Sequence, residues 1–182
     1  MKKHYMIGVT TFACLLAAIA GVPPSLKGAG EESPVSKLLA EAKTQAYAIS
    51  VDASQLESYT REPTLSWETH ADEISLMKDD INRTAKTIEK LNASRSEAAP
   101  WQVAAIDRII PFMQEIAGNT TSAIEYINKY QSRLTMKEYT DYLESNSDLS
   151  SHLAGLIAHY VDYGNAKNRY GNLKRTIELS AK

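Results

Sequence analysis

The sequence predicts an all-α protein, an antiparallel up-down-up-down four-helix bundle behind a cleavable signal peptide. Three observations predict it. Trp67, His70, Ile74, Met77, Ile81, Thr84, Ile88 and Leu91 follow one another at spacings of three and four, the period of a long helix packed against other helices. Three further stretches carry the same period across short connections, and no strand alternation or glycine-rich phosphate loop competes with them. An apolar run also opens the chain behind Lys2 and Lys3.

Residues 1–20 have the layout of a signal peptide: a positive start, an apolar core from Met6 to Ala20, and a small-x-small cleavage site at Ala18-Ile19-Ala20. The core falls short of the ~20 residues that a spanning helix needs. Leu15, Leu16, Ala17 and Ala18 continue it past Cys14, against a lipid-anchored cysteine. Residues 21–33 are rich in Pro, Gly and Ser without an apolar period, which predicts a disordered linker. The bundle is expected over 34–178.

Ser33-Pro34 is an N-cap followed by a first-turn proline, and Leu38, Ala42, Ala46, Ile49, Ala53 and Leu56 mark the first core stripe, to about Tyr59. Pro63 bars continuation. Ser66 caps the second helix, with Glu68 near the positive end of its dipole, and the helix is expected to reach about Arg95. Pro100 opens the third, whose stripe is Ile106, Ile110, Met113, Ala117, Thr120, Ile124 and Ile127; Pro111 beside it predicts a bend. Thr135-Met136-Lys137-Glu138 reads as a capping box for the fourth, with Tyr139, Tyr142, Asn146, Leu149, Leu153, Leu156, Tyr160, Tyr163 and Ala166 as its stripe. Its tail is expected to fray past Gly171, where Lys167, Arg169, Lys174 and Arg175 suit a helix C-terminus.

The formal net charge is −2, and removal of Lys2 and Lys3 leaves the mature chain more acidic, with no basic stripe to recruit nucleic acid. The single cysteine departs with the signal peptide, so the core must hold without disulfides. A short two-lysine start is bacterial in style. The acceptor patterns at Asn82, Asn92 and Asn119 are therefore not expected to carry glycans.

In an antiparallel bundle, Tyr59, Trp67, His70, Tyr126, Tyr130, Tyr139 and Tyr142 share one end, with Arg61, Glu68, Asp72, Glu73 and Arg133 nearby. Such an end can grip a small apolar molecule or a partner's side chain, or the tyrosines can simply close the bundle where one side is dry and the other wet. His70 on the stripe suggests a metal ligand or a base, against the plainer role of a core histidine bonded to a tyrosine or carboxylate. His152 and His159 lie ~18 Å or more along the axis from it, so no metal site is expected. Thr84, Thr120 and Asn146 intrude on the stripes, and a polar layer that fixes helix register accounts for them.

No cofactor is expected. Cys-x-x-Cys-His is absent, His152 stands beside its stripe and not in it, and no Glu-x-x-His offers a di-iron site. No serine occupies a Gly-x-Ser-x-Gly turn, and the carboxylate runs Asp79-Asp80 and Glu31-Glu32 read as solvated faces.

Ser66-Trp67-Glu68-Thr69-His70-Ala71, Pro100-Trp101-Gln102 with Ala105-Ile106-Asp107-Arg108, and Val161-Asp162-Tyr163-Gly164 resemble an uncharacterised family of exported bacterial all-helical proteins. The resemblance implies export and an all-helical fold and assigns no functional residue. The sequence thus points to a non-enzymatic cell-envelope binding or interaction module, periplasmic or secreted, without a membrane span once processed. Its partner is another protein or a small apolar ligand. The alternative is a periplasmic small-ligand or cofactor carrier that uses the aromatic end.

Overall fold

The computed structural model describes residues 33–180. The expected signal peptide and all of the expected linker except Ser33 lie outside them. Among the described residues the protein is all-helical: α1 (Pro34–Tyr59), α2 (Trp67–Ala93), α3 (Pro100–Lys129) and α4 (Lys137–Ser180), with one 3₁₀ turn at Arg95–Glu97.

Local chemistry sets the helix starts. Ser33 Oγ accepts the Ser36 amide at 3.1 Å, and Ser66 Oγ accepts the Thr69 amide at 3.3 Å, each satisfying an amide that the first turn leaves without a helical partner. Pro100 occupies the first turn of α3, and Gln102 Oε1 accepts the Ala99 amide at 2.8 Å. The expected box at Thr135 is displaced by one residue: the Met136 carbonyl accepts the Thr140 amide, so α4 begins at Lys137. Helix α2 stops at Ala93, short of Arg95. Helix α3 passes through Pro111 without a break, and the proline ring faces solvent, where the carbonyl it leaves unserved can be hydrated.

Helix α1 packs on α2 and α4, and α3 packs on α4 and α2, so each helix buries two flanks. Leu39, Ile49, Leu56, Ile74, Met77, Leu91, Ile106, Ile109, Ile116, Ile127, Leu143 and Tyr139 are the largest side chains wholly removed from water. The stripe expected on α2 holds from His70 to Leu91, while Trp67 is half-buried. On the other helices most of the stripe holds, from Ala42 to Leu56 on α1, at Ile106, Met113, Thr120, Ile124 and Ile127 on α3 and at Tyr139, Asn146 and Leu153 on α4. Tyr163 and Ala166 are exposed, and single positions slip by one residue. Leu39 replaces Leu38, Ile109 and Ile116 replace Ile110 and Ala117, and Leu143, Ser150 and Ile157 replace Tyr142, Leu149 and Leu156. Between two partners a helix buries an arc wider than one stripe, and the angle of each partner chooses among adjacent candidates.

The polar layer lies inside. Asn146 Nδ2 donates to Thr120 Oγ1 at 3.0 Å, and Thr120 Oγ1 donates to the Ile116 carbonyl at 2.8 Å. Thr84 belongs elsewhere, donating to the Asp80 carbonyl of its own helix.

The expected fraying past Gly171 does not occur: α4 stays helical to Ser180. A glycine in a helix costs only ~1 kcal/mol relative to alanine, too little to end one that is otherwise well formed.

Candidate functional site

The sequence placed seven residues at one end, and five of them form a continuous chain of ring contacts. Tyr59, the last residue of α1, meets His70 on α2 edge-on at 5.4 Å. His70 meets Tyr139 on α4 at 5.7 Å; Tyr139 stacks on Tyr126 of α3 at 5.4 Å; Tyr126 meets Tyr130 at 5.0 Å. Trp67 and Tyr142 are half-buried against the same core. All four helices contribute a side chain because each begins or ends here.

His70 is 2% exposed and Tyr139 is wholly buried. His70 Nδ1 and the Tyr139 hydroxyl are hydrogen-bonded at 3.0 Å, which satisfies a polar atom on each ring. Burial holds the imidazole below its ordinary range and pushes the Tyr139 hydroxyl well above its own. Burial disfavours charge on both rings, and their hydrogen bond ties α2 to α4 at this end. The Tyr126 hydroxyl donates to the Arg133 carbonyl at 3.2 Å, drawing the α3–α4 connection over the rings. Lys129 and Arg133 both approach the Tyr130 ring, at 4.8 and 5.8 Å from its centroid.

The cleft at this end touches the ring cluster only at Tyr130, its outermost member. About 490 Å³ of solvent-open space runs along Asn128, Lys129, Tyr130, Gln131, Ser132 and Arg133, a loop of mostly polar side chains. Small-molecule sites are enclosed and mainly apolar, and this one is neither. Among the described residues no group of three or more His, Cys, Asp or Glu side chains is placed to hold a metal.

Sequence reasoning missed the opposite end. There the Trp101 ring, on the first turn of α3, lies against Gly164 of α4 so closely that a Cβ at 164 would stand 2.7 Å from its Cη2 atom. Tyr163 meets the same indole edge-on at 5.4 Å. Gln102 Nε2 donates to Ser36 Oγ at 3.1 Å and to Ser33 Oγ at 3.3 Å, and Lys43 pairs with Asp162 at 3.5 Å. The segments 100–102 and 161–164, singled out for their resemblance, therefore meet in space. The height argument applied to the first end would have found this one, since the start of the third helix and the later part of the fourth share it.

One carboxyl outside both ends is strongly perturbed. Asp52 on α1 is pushed up to about 6, first by burial and then by Asp80 and Glu73 across on α2, with Arg83 opposing.

No family model, curated protein or solved structure matches the chain. What the fold and the two ends define is a class: an all-helical, four-helix protein with one end closed by its own aromatic rings and the other overrun by its last helix.

Proposed function

We propose that the chain is an exported, non-enzymatic cell-envelope protein that folds as an antiparallel up-down-up-down bundle and works as a binding module. The contacts of Tyr59 with His70 and of Tyr126 with Tyr139 at one end, and of Ser33 with Gln102 at the other, support that helix order. Lys2, Lys3, the apolar residues 6–20 and Ala18-Ile19-Ala20 support export by a cleaved signal peptide. No described helix is long and apolar enough to cross a membrane. The periplasm is the proposed location, with secretion the second destination.

A single contrast carries the binding role. The aromatic end is filled by its own rings and hydrogen bonds, whereas α4 continues past Gly164 as a helix with exposed apolar side chains. Binding therefore runs through a helix face, and a carrier that uses the Trp67–His70 end is the less favoured reading.

Native mass spectrometry with an absorption spectrum, on protein purified from its native envelope, tests this. The expected result is a bare polypeptide mass beginning at Gly21 and no visible band. Extra mass or colour that disappears in Trp67→Ala or His70→Ala would move the function to small-ligand carriage.

A further inference from the structure

We infer that the C-terminal part of α4 is a docking helix for an anionic lipid surface. This inference rests on the binding-module reading and names its partner. Lining by α1 extends along α4 as far as Asn168, which stands with Ser36 and Trp101 around one small gap. From Tyr170 to Ser180 about 16 Å of helix projects beyond the bundle, at 1.5 Å per residue. Every residue from Asn165 to Ser180 is exposed except the partly covered Gly171.

The projecting helix carries one apolar stripe, with Leu179, 69% exposed, as the single large apolar side chain on its other side. Tyr163, Tyr170, Leu173 and Ile177 follow one another at spacings of seven, three and four, so they share one face, and they are 53%, 70%, 58% and 68% exposed. Lys167 and Lys174 each stand four residues after a stripe tyrosine, along one border of that face, and Arg169 stands four before Leu173 along the other. Trp101, half-buried against Tyr163, continues the stripe onto the bundle. An apolar face edged by cations, with Tyr and Trp among its members, suits the boundary between acyl chains and headgroups. There the rings and aliphatic stems enter the apolar layer while the charges reach phosphate.

Charge selects this occupant over a second copy of the chain. Lys167, Arg169, Lys174 and Arg175 face only one carboxylate on the segment, Glu178, which lies 3.8 Å from Lys174. Among the described residues no carboxylate pairs with Lys167, Arg169 or Arg175. The chain as a whole is net negative, so this segment is a basic projection on an acidic body. Packed against its own copy along the stripe, the helix would set Lys167, Lys174 and Arg169 beside cations of the partner, where coiled coils place opposite charges. An anionic surface meets both the charges and the apolar face.

The test is cosedimentation of the chain, as purified from its envelope, with vesicles of phosphatidylglycerol and phosphatidylcholine or of phosphatidylcholine alone. Binding to the anionic vesicles only, weakening with salt, is expected. Lys167→Gln with Lys174→Gln should weaken it about 25-fold, since each cation near an anionic leaflet contributes roughly a fivefold gain. Leu173→Ser with Ile177→Ser should abolish it without moving the thermal midpoint, because those side chains lie outside the core. Equal binding to both vesicles, or binding that neither variant alters, overturns the inference. A concentration-dependent dimer lost in Ile177→Ser, without vesicle binding, overturns it in favour of self-association. If vesicles fail but a crosslinker at position 170 reaches an acidic protein, the lipid partner falls while the binding-module reading stands. That reading falls instead on bound ligand mass at the Trp67 end.

Discussion

At the His70 end five rings lie against one another and the α3–α4 connection folds back over them; at the Trp101 end two rings meet over a glycine and α4 carries on past both. The same residue types serve opposite purposes. Where connections return, Tyr and His complete the core and satisfy each other's polar atoms. Where a helix continues, they form the root of a projection. Aromatic content at a bundle end is therefore no evidence of a ligand site until hydrogen bonding and burial have been placed.

The comparison is most severely tested at Tyr139. Truncation to alanine should lower unfolding free energy by about 4 kcal/mol, by loss of a wholly buried ring and the cavity left behind. Tyr139→Phe keeps the ring but leaves His70 Nδ1 unpaired, and should cost about 1–2 kcal/mol. Urea denaturation of both variants measures the difference. A Tyr139→Ala loss below that of Tyr139→Phe would mean that the end is a loose pocket after all.

Next in size is Gly164→Ala. The added Cβ collides with the Trp101 ring, and the strain, partly offset by alanine's better helix propensity, should leave a net loss of about 1–2 kcal/mol. Combining it with Trp101→Leu should recover part of that loss, and a double-mutant cycle reads the coupling. Strict additivity would show that the two ends do not differ in how tightly they are built.

Asp52→Asn should raise stability by about 1 kcal/mol at pH 7, once solvent screening of a partly exposed group is allowed for. The sign follows from a folded pKa of about 6, above the ordinary aspartate value of 3.8: the folded state holds the proton more tightly, so that contribution is fully present below about 3.8 and lost as pH rises through 6. Asparagine copies the protonated form, so the gain should vanish at pH 4. His70 acts in the opposite direction, since its lowered pKa gives stability that is present above pH 6.5 and lost as pH falls through the folded value. Denaturation at pH 4 and pH 7 separates the two. A gain from Asp52→Asn that persists at pH 4 would remove titration as its cause.

Smallest is Ile177→Ser. A side chain beyond the bundle should change stability by less than about 0.5 kcal/mol. A larger loss would show that this residue is covered in solution.

Much of this architecture was legible in the residues. Ser33-Pro34, Ser66-Trp67 and Pro100 announced their helices because caps and first-turn prolines act locally. Thr120 and Asn146 stood out as polar intrusions on their stripes, and His70 as a core histidine bonded to a tyrosine or carboxylate, of which the tyrosine is the one present. The buried faces of α3 and α4 were legible only in part: Ile106, Met113, Thr120, Ile124 and Ile127, and Tyr139, Asn146 and Leu153, are buried as expected, and the other expected positions are not. Ile109 and Ile110, or Leu156 and Ile157, are equally apolar, and only the partner's angle separates them. Gln45, Thr87, Gln102 and Ser150 are buried on grounds that no hydrophobic pattern records: Thr87 Oγ1 and Gln45 Nε2 both donate to Glu41 Oε1, and Gln102 joins α3 to the start of α1. Gly171 misled because a glycine at a helix end and a glycine within a helix look alike in one sequence.

The Asn146–Thr120 bond also acts as a depth stop. It is a polar contact in an apolar interior, so sliding α4 by one turn, ~5.4 Å, would strand both side chains away from a partner. Asn146 precedes Tyr170 by 24 residues, about 36 Å of continuous helix. The distance that the last helix reaches beyond the bundle is therefore gauged within its first third, by two side chains far from its exposed end.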